Sequence, residues 1–195
     1  MRKFFMEEGI ITNIEEFVDK LVTALNNCSI DYVLIGGVAA LHYGRPRNTQ
    51  DCDIILSLKE DEIKKFCECL TRAGFDVKEY EITQAFKEKS HFNAYYKGQY
   101  GFRADFSWKK GSLAEHTFQR ARRDEIWGVI ARISSPEDLI IAKIIYGSEQ
   151  DLDDAKAVVR KQNELNLLDE KYLKKRADEE GVTKELEKLL KEAGK

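Results

Sequence analysis

Two glycines at the end of a short apolar run set the terms for this chain. Tyr32 to Ile35 reads as a buried strand, and Gly36-Gly37 follows it directly, ahead of a brief helical stretch over Val38 to Tyr43. Paired glycines at a strand-to-helix turn let the backbone come close to a phosphate and offer it free N–H groups. The same pair also suits a plain tight turn. After thirteen intervening residues, Asp51-Cys52-Asp53 opens a second apolar run that reaches Leu56. Residues two apart on a strand leave the same face, so two carboxylates stand side by side there. Their repulsion is relieved when a cation fills the gap. Mg²⁺ prefers oxygen ligands and bridges to substrate phosphates, so it is the natural filler.

A third carboxylate lies downstream. In Phe102-Arg103-Ala104-Asp105-Phe106-Ser107 the apolar residues take one face of a strand, and Arg103, Asp105 and Ser107 take the other. If this strand neighbours that of Asp51 and Asp53, three carboxylates converge. Such a cluster suits two metal ions about 3.5–4 Å apart, one activating a hydroxyl and one bound to a triphosphate. Against this stands the ordinary reading, in which aspartates alternating along a strand are its wet face.

The remaining elements alternate. A helix over Ile14 to Asn26 starts at Asn13, with Glu16 completing a capping box. Ile63 to Leu70 reads as another amphipathic helix, closed by Gly74. Phe75 to Tyr80 reads as a strand, Ile82 to Lys87 as a short helix, and His91–Tyr96 with Gly101–Ser107 as a hairpin. A helix around Leu113 to Ala121 and one strand over Ile126 to Ile133 complete the first two-thirds. The final third is helical: Ser135-Pro136 starts Leu139 to Tyr146, then come Leu152 to Arg160, Asp169 to Glu180 and Thr183 to Ala193. The order implies an α/β (α+β) protein with a mixed sheet flanked by helices and a C-terminal helical subdomain. Residues 1–134 form the core and 135–195 the helical subdomain of one compact unit, with a soft boundary; Gln162 to Asn166 separates a tail from the body.

Net charge is -3, so any polyanion site must be a local patch. Trp108-Lys109-Lys110 with Arg120, Arg122 and Arg123 is the candidate RNA surface, or else a solvated charged loop. The opening Met1-Arg2-Lys3-Phe4-Phe5-Met6 imitates a signal peptide until Glu7, Glu8 and Gly9 interrupt it. No apolar run is long enough to span a membrane, and the cytoplasm is the expected compartment. The four cysteines read as structural thiols, Cys28 and Cys52 as small buried hydrophobes and Cys67 and Cys69 as a poor chelating pair. His42, His91 and His116 read as structural.

Gly36-Gly37, then Asp51-x-Asp53, then a later strand aspartate at 105 resembles the signature of the nucleotidyltransferase superfamily that includes DNA polymerase beta. Gly44, Arg45, Arg47 and Thr49, together with Ser135-Pro-Glu-Asp-Leu-Ile-Ile-Ala-Lys143 and Asp151-x-x-Asp154-Ala155, are similar to a narrower branch. That branch holds the nucleotidyltransferase toxins of abortive-infection toxin–antitoxin pairs and their uncharacterised relatives. The resemblance runs from Ile30 to Arg160. It implies transfer of NMP from an NTP to a hydroxyl acceptor with release of pyrophosphate, the acceptor being a tRNA, a protein or a small molecule. Asp51, Asp53 and Asp105 would hold two Mg²⁺ ions (or Mn²⁺), and Asp105 would help deprotonate the acceptor. Gly36 and Gly37 would hold the β- and γ-phosphates, Lys143 would contact the triphosphate, and Arg47 and Thr49 would join the nucleotide site. An antitoxin protein is an implied partner. One departure stands out: relatives often carry Arg or Lys shortly before the position of Asp151, where this chain has Gly147-Ser148-Glu149-Gln150. That favours, as the alternative, a catalytically weak nucleotide-binding or interaction protein of such a pair. Read from the residues alone, Lys143 is either an anion ligand or a snorkelling lysine. Asp151 and Asp154 are charges at a helix start, and Arg45 and Arg47 are surface charges or functional ones.

Overall fold

The computed structural model describes residues 10–194; the charged opening that imitates a signal peptide lies outside them. The first half runs α1 (Ile14–Cys28), β1 (Asp31–Leu34), α2 (Gly36–His42), β2 (Asp51–Ser57), α3 (Ile63–Arg72), β3 (Phe75–Asp76), α4 (Glu79–Glu88) and β4 (Phe92–Tyr96). It continues with β5 (Gln99–Trp108), α5 (Gly111–Arg120), β6 (Arg122–Ile126), β7 (Val129–Ile133), α6 (Pro136–Tyr146), α7 (Glu149–Glu164), α8 (Glu170–Glu179) and α9 (Thr183–Glu192). The strands form one seven-stranded sheet in the order β3-β4-β5-β2-β1-β7-β6. It is mixed: β1 pairs antiparallel with β2 and parallel with β7, and β2 lies parallel to β5.

The sheet separates two unlike faces. Cys52, Ile54 and Leu56 of β2, with Ala104 and Phe106 of β5, belong to the main core with Phe17 and Leu21 of α1 and Phe66 and Leu70 of α3. Period-two alternation then sends Asp51, Asp53 and Ile55 to the opposite face. There the apolar contact is smaller: Val33, Ile55, Ala114 and Phe118 cluster beneath α5. That thinner covering leaves room for a cleft. Local capping sets the helix bounding it, because Ser135 Oγ accepts from the Asp138 N–H at 3.1 Å, Pro136 occupies the first turn, and Gly147 ends α6 at φ 68°.

Several expectations need correction. The strand expected over Phe75 to Tyr80 is only two residues long, because α4 takes the chain from Glu79. Ile126 to Ile133 is not one strand but the end of a hairpin, turned at Trp127 and Gly128 with φ of 48° and 89°. Its first arm, Arg122–Ile126, is the sheet edge, where charged side chains face water and discourage pairing with another chain. Asn13 Oδ1 accepts from the Glu16 N–H as the capping box requires, but the Glu16 carboxylate takes the Thr12 N–H instead of that of Asn13. Cys28 and Cys69 are joined in a disulfide that ties the end of α1 to α3, while Cys52 and Cys67 are free and buried. Cysteine usage therefore does not argue for a reducing compartment. No helix among the described residues is long and apolar enough to cross a membrane.

Candidate active site

β1 ends at Leu34, and the next N–H, that of Ile35, donates to the Asp53 carbonyl at 3.0 Å, so the glycine turn is hydrogen-bonded to the strand that carries the carboxylates. Gly36 sits at φ +63°, a left-handed conformation, and a Cβ built on it would lie 1.9 Å from Asp53 Oδ2. The Gly37 N–H points at the same oxygen at 3.4 Å. Asp53 thus rests against bare backbone. On the other side of the turn Thr49 packs against Gly37, and its hydroxyl donates to the Asp51 carbonyl at 3.2 Å.

Sheet register brings the third carboxylate in. β2 and β5 are parallel neighbours with Asp51 opposite Arg103 and Asp53 opposite Asp105. Oriented with its nitrogen toward the carboxylate, the Asn93 amide donates to Asp105 Oδ1 at 3.0 Å from the strand beyond. Burial pushes the Asp53 carboxyl above the usual aspartate value; the Gly37 N–H works the other way, and the charges of Asp105 and Asp51 raise it further. A cation stands between the outer two carboxylates: Arg103 Nε lies 3.2 Å from Asp51 Oδ1 and 2.9 Å from Asp105 Oδ1. In keeping with this, no three carboxylate, thiolate or imidazole groups among the described residues are gathered as a ready metal cage.

A cleft of about 290 Å³ opens over these groups, lined by Gly36, Asp53, Asp105 and Ser107 on the sheet side and by Leu139, Ala142, Lys143 and Tyr146 along one face of α6. Leu113 and Thr117 of α5 and His91 close other sides, and Asp151 of α7 also reaches it. Ser134 lines the cleft too, and its buried hydroxyl has no hydrogen-bond partner.

Lys143 is met by anions, though they come from the protein. Its Nζ lies 2.7 Å from Asp151 Oδ1 and 2.9 Å from Asp154 Oδ2. Burial works against the ammonium, but these two hydrogen bonds outweigh it and hold the lysine pKa above its usual value. For Asp151 burial is likewise overcome, by Lys143 and Ser148, and its pKa falls. Asp154 is fully buried and also receives Arg47 at 2.7 Å and Arg45 at 3.4 Å. It is therefore no solvated helix-start charge but a hub that ties the loop before β2 to α6 and α7. Arg45 and Arg47 are its partners, not free surface cations.

Much of the basic surface suggested for RNA is engaged internally, although Lys110 and Arg123 stay exposed. The Trp108 indole N–H donates to the Ser90 and Ala85 carbonyls, and its ring packs against Phe86 and Phe92. Lys109 pairs with Glu115, and Arg120 and Arg122 both face the buried Glu137. His42 lies beside Asp124 and His116 beside Glu179, whereas His91 is exposed at the cleft. Sequence reasoning missed Arg103 as a site residue, along with Asn93, Ser134 and Tyr146. Only Arg103 left a signal, its place on the carboxylate face of β5.

Known proteins resemble this chain in sequence pattern and in fold. A family described as a nucleotidyltransferase of unknown function (DUF6036) matches residues 10–190. No curated protein matches the sequence. The fold is similar to the solution structure of the antibiotic-resistance factor ANT(2'')-Ia, with a TM-score of 0.55 at 13% identity over 89% of this chain and 96% of that one. An antigenic nucleotidyltransferase-like protein from Paracoccidioides brasiliensis gives a TM-score of 0.49 at 18% identity over 88% and 92% of the two chains. The lincomycin-bound lincosamide antibiotic adenylyltransferase LnuA gives 0.49 at 15% identity over 77% and 98%.

Proposed function

We propose a specific reaction for this chain, which belongs to the nucleotidyltransferase family DUF6036 and is a nucleotidyltransferase. An acceptor hydroxyl attacks the α-phosphate of an NTP in line; the new oxygen–phosphorus bond forms as the bond to the leaving pyrophosphate breaks. The observation that carries this reading is the register pairing of Asp53 with Asp105 beneath the Gly36-Gly37 turn, at the floor of the cleft. Asp51, Asp53 and Asp105 would hold two Mg²⁺ ions, with Mn²⁺ as a substitute. The donor chemistry suits them: the oxygens are hard, and Asp53 is half-buried with one long N–H contact, a deficit that a cation offsets. Bound there, the ions would neutralise the triphosphate and acidify the attacking hydroxyl.

The chain's own residues supply position. Gly36 and Gly37 would hold the β- and γ-phosphates; lacking side chains, they let Asp53 and Thr49 pack against the turn, and Thr49 holds it against β2. Lys143 and Arg47, fixed by Asp154, would present positive charge to the nucleotide without reorganising. Pairing of Lys109, Arg120 and Arg122 within the fold supports a small-molecule or protein acceptor over tRNA. A second reading, a weakly active nucleotide-binding member of a toxin–antitoxin pair, draws support from one observation: Asp151 and Asp154 already saturate Lys143.

Labelled NTPs with Mg²⁺ or Mn²⁺, offered separately to tRNA, total protein and small hydroxylated compounds, test both. The expected result is transfer to one acceptor class, lost by at least about a hundredfold in Asp105→Asn while NTP still binds, because only a transition-state contact is removed. NTP binding without transfer to any acceptor would favour the second reading.

A further inference from the structure

We propose that Arg103 is an exchangeable counter-cation of the carboxylate site: it holds Asp51 and Asp105 when no divalent ion is present and yields when one enters. The inference rests on the metal-dependent reading above and adds a residue that reading does not use. Arg103 leaves β5 on the same face as Asp105, and its Nε reaches across to β2. Besides the contacts at 3.2 Å and 2.9 Å, Nε lies 3.0 Å from Asp105 Oδ2. The Nε–H thus bonds Asp105 while the guanidinium stands at ion-pair distance from Asp51, on two carboxylates that a metal would need. Asp53 sits deeper and has no such partner; its contact is the Gly37 N–H.

The guanidinium and a metal ion compete for the same oxygens of Asp51 and Asp105. At separations of a few ångströms like charges repel strongly, so occupation by one comes at the expense of the other. Arg103 is able to leave. Its side chain is 42% exposed and that of Asp51 44%, and half-exposed ion pairs of this kind shift an equilibrium by only about two- to fivefold each. The arrangement also removes a difficulty with the carboxylate cluster itself. Three aspartates on adjacent strands repel one another in the metal-free protein, and a tethered guanidinium keeps them in place until the ion arrives.

Mn²⁺ titration of the full chain, followed by the loss of the free-ion EPR signal, tests this on wild type, Arg103→Gln and Arg103→Lys. Arg103→Gln should bind Mn²⁺ about four- to 25-fold more tightly than wild type, the product of two weak pairs released. Arg103→Lys, which keeps the charge, should stay near wild type. Thermal melts should show Arg103→Gln less stable than wild type in chelator and raised more by Mn²⁺. If wild type binds Mn²⁺ and Arg103→Gln binds it equally or more weakly, the counter-cation role is wrong and the metal-dependent reading stands. If no folded variant binds Mn²⁺, both fall together.

Discussion

Replacing Gly36 by alanine adds one methyl group, and the structure specifies what that methyl meets. Its Cβ would lie 1.9 Å from Asp53 Oδ2, 2.7 Å from Cγ and 2.9 Å from Cβ. Rotating the carboxylate cannot relieve the clash, because the Asp53 Cβ is itself inside contact distance; the turn or β2 must move. Overpacking of this kind costs about 1–3 kcal/mol. The backbone adds a second cost, since φ +63° is a left-handed conformation worth about 1–2 kcal/mol against a residue with a Cβ. The sum, roughly 2–5 kcal/mol, corresponds to a fall in Tm on the order of 10 °C for a domain of this size. Gly98 separates the two contributions. It has nearly the same φ, +66°, but nothing within 4 Å of its Cβ position. Gly98→Ala should therefore show the backbone cost alone, a few degrees, with transfer activity intact. Gly36→Ala should lose several degrees more and at least about a hundredfold in turnover, the scale of a 1 Å misplacement at a reacting centre. Equal losses of Tm in the two variants, or full turnover in Gly36→Ala, would refute the packing of Asp53 against the turn.

Asp53→Asn should stabilise the metal-free protein at pH 8. Burial raises the Asp53 pKa, so its stability contribution is intact below the ordinary carboxylate value and is lost as pH rises through the elevated one; each tenfold change in proton affinity is worth about 1.4 kcal/mol. Melts in chelator should show the variant's advantage at pH 8 fading toward pH 4, and a lower Tm than wild type at pH 8 would count against it. Reduction of Cys28–Cys69 closes off a different reserve: a loop with a sequence separation of 41 implies about 4 kcal/mol. Dithiothreitol should then lower Tm by about 8–16 °C, whereas four reactive thiols in the unreduced, unfolded chain would disprove the bond. Asp154→Asn leaves three cations around a buried amide, and such losses cost about 3–5 kcal/mol; a Tm within about two degrees of wild type would show that the hub is dispensable.

Local periodicity made the carboxylate strands legible. Alternation put Asp51 with Asp53 and Arg103 with Asp105, and the Ser135-Pro136 start fixed α6 and with it the placing of Lys143. What escaped depends on which elements become neighbours. Asp154 looks like any acidic residue in a first helical turn until Arg45 and Arg47, more than a hundred positions earlier, fold onto it. The Cys28–Cys69 bond joins two helices whose packing no spacing rule encodes. The β6–β7 turn carries Trp127, a residue with no turn preference, at positive φ, and the charges of Arg122 to Glu125 hide an edge strand. Arg103 lay in plain view but gained meaning only when its nitrogen was found between two carboxylates.

The hub at Asp154 has a consequence for a chain made on a ribosome. Synthesis proceeds from the N-terminus at about 5–20 residues per second, so Asp51, Asp53 and Asp105 emerge several seconds before Asp151 and Asp154 of α7. Until α7 is out, Arg45 and Arg47 lack their buried anion, and Lys143 has yet to meet either carboxylate. A nascent chain can thus carry the three aspartates before Arg47 and Lys143 are held in place. Competence arrives late in translation, and a transcript cut short before α7 would yield a product that has the aspartates but not the lock.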